Sequence, residues 1–287
     1  MKAKICFYGC AVIAGCLLGL HTNAAQAQPA ATAPAGAAAV SLDVVGIKPG
    51  MTIKEAMLAL KADNPRLTIV PSVQHHEGFA EPLMPEVMGS EKATAGRDSI
   101  LRGAEDVEIL FTMLPKQEAV WGVKRNYSFA TAERPSLQNT LEALHKKYGP
   151  ESLPPDPDPR GITKAIAWVY DSQGRPLGSR GAQVYRTCAS INNHFGNGDL
   201  AAVNDIQSGG QPPAPECRSL IIVEASVQAN RDPAGSQLVV NTLIVSLADA
   251  GRYRASIEAV RAIILNAQKA RERKQNEAVD KRGGPKL

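Results

Sequence analysis

The sequence has no excess of charge of either sign. Its 32 Lys and Arg stand against 28 Asp and Glu in 287 residues, a formal +4. That balance lacks the basic footprint of nucleic-acid recognition. The chain also lacks an apolar run long enough for a comfortable membrane span, which takes about 20 residues. The nearest approach, Ile5 to Leu20, is broken by Gly and Cys and lies at the start. Aromatic residues are few, at 5% with two Trp, so Trp121 and Trp168 are expected to serve as core packing rather than as a ligand platform. Several chemical signatures are missing too. No G-x-S-x-G marks a nucleophile elbow. Gly46-x-x-x-Gly50 is not followed by Gly-Lys-Ser/Thr, which excludes a phosphate loop. No EF-hand spacing follows Asp156-Pro157-Asp158. No catalytic residue, cofactor site or metal site is assigned, and the chain reads as a non-enzyme.

The first residues carry the clearest positive signal. Lys2 and Lys4 precede the apolar stretch, and Ala25-Gln26-Ala27 has the small-x-small form that a signal peptidase cleaves after. This anatomy predicts a signal peptide over 1–27, cleaved between Ala27 and Gln28, and a periplasmic or secreted bacterial protein. Ile13-Ala14-Gly15-Cys16 resembles a lipobox, so a lipid anchor at Cys16 is the alternative. Release at Ala27 is preferred because Leu17 to Leu20 stays apolar past that cysteine. About 260 residues remain, with a formal charge of about +2 and no transmembrane segment.

Cleavage removes three of five cysteines and leaves Cys188 and Cys217. In an exported chain two cysteines read as one disulfide. It closes a loop of about 30 residues and stabilises by about 3.5 kcal/mol on the chain-entropy estimate. The spacing is not C-x-x-C. Only His194 lies between the two cysteines, so no ligand tetrad for a metal is visible.

Local patterns predict an α+β protein with antiparallel sheets and helices packed on one side, in two small halves. An Ala/Pro-rich segment, 28–40, reads as a flexible leader. The first half, 41–150, opens with a short strand over Leu42–Ile47. A helix follows, with a Thr52/Glu55 capping box and an Ile53, Ala56, Met57, Leu60 stripe, ending at Asn64-Pro65. Leu67–Val73 reads as a strand that Pro71 places at an edge or a strand end. Residues 74–103 read as irregular. Glu105–Leu114 and Ala119–Ala130 form a hairpin, with Val120, Val123, Tyr127 and Phe129 as packing positions. A helix over Ser136–Tyr148 stops at Gly149-Pro150. A proline-rich linker, 151–161, leads to the second half, 162–275. That half holds a strand over Lys164–Tyr170, a short strand over Gln183–Thr187, and a loop over 189–216 closed by the disulfide. A hairpin of Arg218–Ala229 with Gln237–Leu247 and a helix over Tyr253–Lys274 complete it. Residues 276–287 read as a disordered basic tail. From Lys269 onward seven basic residues outnumber three acidic ones, which is read as a solvated helix end.

Other constellations are weaker. His75-His76-Glu77 places adjacent histidines on opposite faces of an extended chain, with no third ligand. His194-Phe195-Gly196-Asn197-Gly198-Asp199 lies in the disulfide-closed loop without a nucleophile motif and reads as a turn.

The segment Val45-Gly46-Ile47-Lys48-Pro49-Gly50-Met51-Thr52-Ile53-Lys54-Glu55-Ala56, ending at Leu60, resembles the opening of small envelope modules. These are similar to the outer-membrane assembly lipoprotein SmpA and the β-lactamase inhibitory protein. The resemblance covers about 16 residues and implies a helix packed on an antiparallel sheet, in a module that binds or scaffolds proteins. The expected function is therefore a non-catalytic protein-binding or envelope-scaffold module with an envelope protein as partner. The alternatives are a periplasmic ligand- or polymer-binding protein, recognisable by an apolar pocket between the halves, and a hydrolase with its site near 189–216.

Overall fold

Thr52 and Glu55 close their capping box. Thr52 Oγ1 accepts the Glu55 N–H at 3.3 Å, and the Glu55 carboxylate accepts the Thr52 N–H at 2.8 Å. They open α1 (Ile53–Asp63), which buries Ala56 and Leu60 and ends at Asn64, just before Pro65. The computed structural model describes residues 40–75, 79–91, 103–114, 116–154, 163–188, 215–232 and 234–281. A second helix, α2 (Leu137–Tyr148), starts where Ser136 Oγ accepts the Asn139 N–H at 3.1 Å and stops at Gly149, at φ +77°.

Seven strands make one antiparallel sheet: β1 (Thr68–Gln74), β2 (Leu83–Ser90), β3 (Ala104–Phe111), β4 (Val120–Ser128), β5 (Thr163–Asp171), β6 (Leu220–Arg231) and β7 (Leu238–Asp249). Their order is β1-β2-β3-β4-β7-β6-β5. The α+β class is as expected. Because β4 pairs with β7 over Gly122–Ser128, strands from both expected halves join in a single sheet. β1 lies at one edge, a position that suits the missing N–H of Pro71.

Several local readings are corrected. The irregular 74–103 segment contains β2, whose residues alternate between buried and half-buried. Two of its buried positions are Pro85 and Gly89, which disguise the alternation. Gly89 is required by packing, since a Cβ there would lie 2.9 Å from Leu60 Cδ2 on α1. Gln183–Thr187 belongs to a helix, α3 (Ser179–Cys188), not a strand. Gly181, Val184, Tyr185 and Cys188 repeat at helical spacing, and all four are buried or half-buried. Leu42–Ile47 is a tight turn with a single Val44–Ile47 bridge. The last helix, α4 (Ala250–Lys281), extends past Lys274 and Asn276. Its buried positions end at Ile264, and residues 268–281 are all exposed. The leader, the segment 155–160 and the loop over 189–214 lie outside the described residues.

Each face of the sheet receives two helices, where a helical layer on one side was expected. On β6, Ile221, Val223, Ala225 and Val227 join an apolar cluster with α1 and α2, whereas Leu220 and Ile222 join one with α3 and α4. Alternation along a strand sends neighbours to opposite faces, and both sets here are apolar, so both faces need cover. A bulge at Trp121 shifts the phase of β4, so Val120 and Val123 share the first face while Trp121 joins the second.

Candidate functional site

The cysteine pair behaves as expected. Cys188 and Cys217 are disulfide-bonded and buried, tying the end of α3 to a 3-10 turn ahead of β6. Both tryptophans are core residues. Trp121 packs on Tyr253 with ring centroids 4.5 Å apart, and Trp168 Nε1 donates to the Gly149 carbonyl at 2.8 Å. Gly46 and Gly50 shape the turn before α1, at φ +77° and +89°. His75 is exposed at the end of β1. His76, Glu77, Asp156, Asp158 and the His194–Asp199 segment lie outside the described residues, as do Cys16, Ala27 and Gln28. Among the described residues no group of three His, Cys, Asp or Glu could hold a metal ion.

A further apolar site was not among these candidates. It starts at the turn before α1, which is fastened to the end of α2. Asp43 Oδ1 accepts the Gly46 N–H at 3.1 Å and pairs with Lys147 Nζ at 3.0 Å, and the Tyr148 hydroxyl donates to the Asp43 carbonyl at 2.9 Å. Burial alone would raise the Asp43 carboxyl. Hydrogen bonds from the Ser41 hydroxyl and Lys147, the Lys147 charge and the Gly46 N–H outweigh it and hold the group below the ordinary carboxylate range. The Tyr170 hydroxyl donates to the Tyr148 carbonyl, which locks α2 over the sheet. Burial raises the Tyr148 and Tyr170 phenols far above neutrality, so both stay protonated donors.

Under this bracket lies a cavity of about 310 Å³. Its apolar wall includes Val44, Val45, Phe129, Leu144, Leu243 and Val245, from the turn, α2, β7 and the residue that follows β4. Because β7 follows the proline-rich segment, the cavity lies between the two expected halves and exists only through the β4–β7 pairing. Two cations, Arg125 and Lys147, also line it, whereas their carboxylate partners do not. Arg125 Nε lies 2.6 Å from Glu105 Oε1, an ion pair without hydrogen-bond alignment. The Glu105 side chain is 3% exposed, and its other oxygen accepts from Asn64 Nδ2 at 2.7 Å. The guanidinium also sits 4.9 Å from the Tyr127 ring centroid. The signal for Arg125 was its phase. It shares the face of Val123, Tyr127 and Phe129, all read as packing positions, so the same alternation places a cation among them.

A second concavity is an open groove between α1 and β1, lined by Ile53, Met57, Leu58, Lys61, Arg66 and Ile69 among others. Compared with protein-family models, curated proteins and solved structures, the chain matches none.

Proposed function

We propose that the protein is a non-catalytic, exported binding protein that holds a small, mostly apolar ligand between α2 and the β4–β7 pair. The observation that carries this reading is the cavity itself. Its volume is at the lower end of the usual range for ligand sites, and its wall is apolar with a few polar groups converging on it. Ion pairs stand at the cavity where a protein selected for stability alone would place aliphatic side chains. Export is supported by the leader pattern ending at Ala27 and by the buried Cys188–Cys217 bond, a feature of oxidising compartments. No helix among the described residues is long and apolar enough to cross a membrane.

A thermal-shift series with medium-chain aliphatic ligands tests the reading. A ligand that binds only the folded state raises Tm with concentration. Ala143 lines the cavity from the exposed side of α2. Ala143→Trp is expected to abolish the shift while leaving the fold intact. A series in which no ligand raises Tm contradicts the proposal.

The scaffold reading has one specific support. Leu58, Val70 and Val73 are 62%, 56% and 53% exposed on α1 and the edge strand β1, and exposed aliphatics beside an unpaired edge suit a protein contact. Loss of a reproducible envelope partner on Leu58→Asp and Val70→Asp substitution, with cavity binding unchanged, would favour it.

A further inference from the structure

We infer that the ligand carries an anionic head group on a single aliphatic chain, and that Arg125 reads that head. This rests on the cavity being a ligand site. Across the face covered by α1 and α2 the register runs Ile69, Gly89, Val107, Arg125, Val245, Ala225, Ile166, one residue from each strand. Arg125 is the single charge in this row, near the middle of the sheet. Its counter-charge, Glu105, comes from the adjacent row opposite Tyr127 and reaches it diagonally.

The ion pair engages only one edge of the guanidinium. Nε faces Glu105, and the two terminal nitrogens make no hydrogen bond to a described residue. A guanidinium presents five N–H donors in a planar fork that matches carboxylate and phosphate oxygens. The arrangement of charges gives the site its sign. Arg125 and Lys147 line the cavity, while Glu105 and Asp43 stand behind them. A ligand therefore meets two positive groups before it meets either carboxylate. Val44, Val45, Phe129, Leu144 and Leu243 provide the apolar wall for a tail. A cationic head would face both cations, and a neutral head would leave the guanidinium fork unused.

Isothermal titration of the full chain with decanoate, decyl phosphate, decan-1-ol and decylamine, each below its micelle threshold, tests this. One or both anions should bind at least about tenfold more tightly than the alcohol, with the amine weakest. Their ratio tells a carboxylate-type from a phosphate-type head. Arg125→Met alone would strand the buried Glu105 carboxylate and compromise folding, so it is combined with Glu105→Gln, which keeps an acceptor for Asn64. This pair should bind decan-1-ol as the parent does and lose the preference for anions. Arg125→Lys should keep part of the preference, since the charge stays and the fork is lost. Equal binding of all four heads to the parent, tightest binding of the amine, or an anion preference that survives the double substitution would overturn the inference and leave the cavity reading standing. Binding of none of them would remove the cavity reading, and this inference with it.

Discussion

The two faces of the sheet carry two helices each, yet they are finished differently. On the face of α3 and α4, Trp121 lies against Tyr253, and a disulfide fastens α3 to the start of β6. Gly251 sits so close that a Cβ would fall 2.4 Å from the Arg218 carbonyl oxygen. On the face of α1 and α2, a cavity of about 310 Å³ remains, lined by the cations of two ion pairs. One face carries a close aromatic contact and a covalent tie. The other keeps space and charge that packing alone does not require. Under the proposed function, the face of α1 and α2 is the one that holds the ligand, and the face of α3 and α4 contributes stability.

The largest expected effect breaks the covalent tie. Replacing Cys188 and Cys217 together with Ser should cost about 3.5 kcal/mol, read as a lower urea midpoint than that of the oxidised parent. A difference below about 1 kcal/mol would mean that the loop is held closed by other contacts. A matched pair of substitutions then compares the faces directly. Ile257 on α4 and Leu144 on α2 are similarly buried, at 5% and 6% exposure. Ile257→Ala should cost about 3.5 kcal/mol, and Leu144→Ala about 2 kcal/mol, because Leu144 already borders empty space and loses fewer contacts. Equal costs would mean that the cavity is filled in solution.

A third comparison concerns the ion pair. Glu105→Ala should cost about 3 kcal/mol, since it strands Arg125 and Asn64. Glu105→Gln combined with Arg125→Met, which keeps an acceptor for Asn64, should be close to neutral. A large loss in that double variant would make the pair a structural element rather than a binding one.

The smallest effect is in the pH response. The folded state holds Asp43 below its ordinary pKa, so its contribution is present at neutral pH and lost as pH falls through the folded value. Glu86 has the same β-strand phase as Leu110 on the other face and is shifted upward by burial. It contributes the opposite sign, with stability lost as pH rises through its raised value. Asp43→Asn should therefore lower the urea midpoint at neutral pH and Glu86→Gln should raise it. Both differences should shrink as pH falls below about 4. Shifts of the same sign in the two variants would contradict this assignment.

Much of the fold was legible where physics is local. The capping box at Thr52, the stop at Gly149 and the β-branched runs of β6 and β7 each declare themselves within a few residues. β2 hid because Pro85 and Gly89 occupy buried positions that ordinarily hold large aliphatics. α3 hid because its apolar residues are sparse and Gly181, which reads as a breaker, faces Ser152 so closely that a Cβ would lie 2.5 Å from its Oγ. The cavity was the least legible feature. Its walls meet through the pairing of β4 with β7, across more than 100 residues of chain, and no local pattern specifies a non-local pairing of that kind. Arg125 was readable in phase, but its meaning depends on Val245 and Glu105 on neighbouring strands.

The most direct test of the account is a methyl NMR titration of the labelled protein with decanoate. The account predicts saturable shifts at Val44, Leu144, Leu243 and Val245, with Ile222 and Ile257 on the opposite face unmoved. Shifts spread equally over both faces, or none at the cavity methyls up to the micelle threshold, would contradict it.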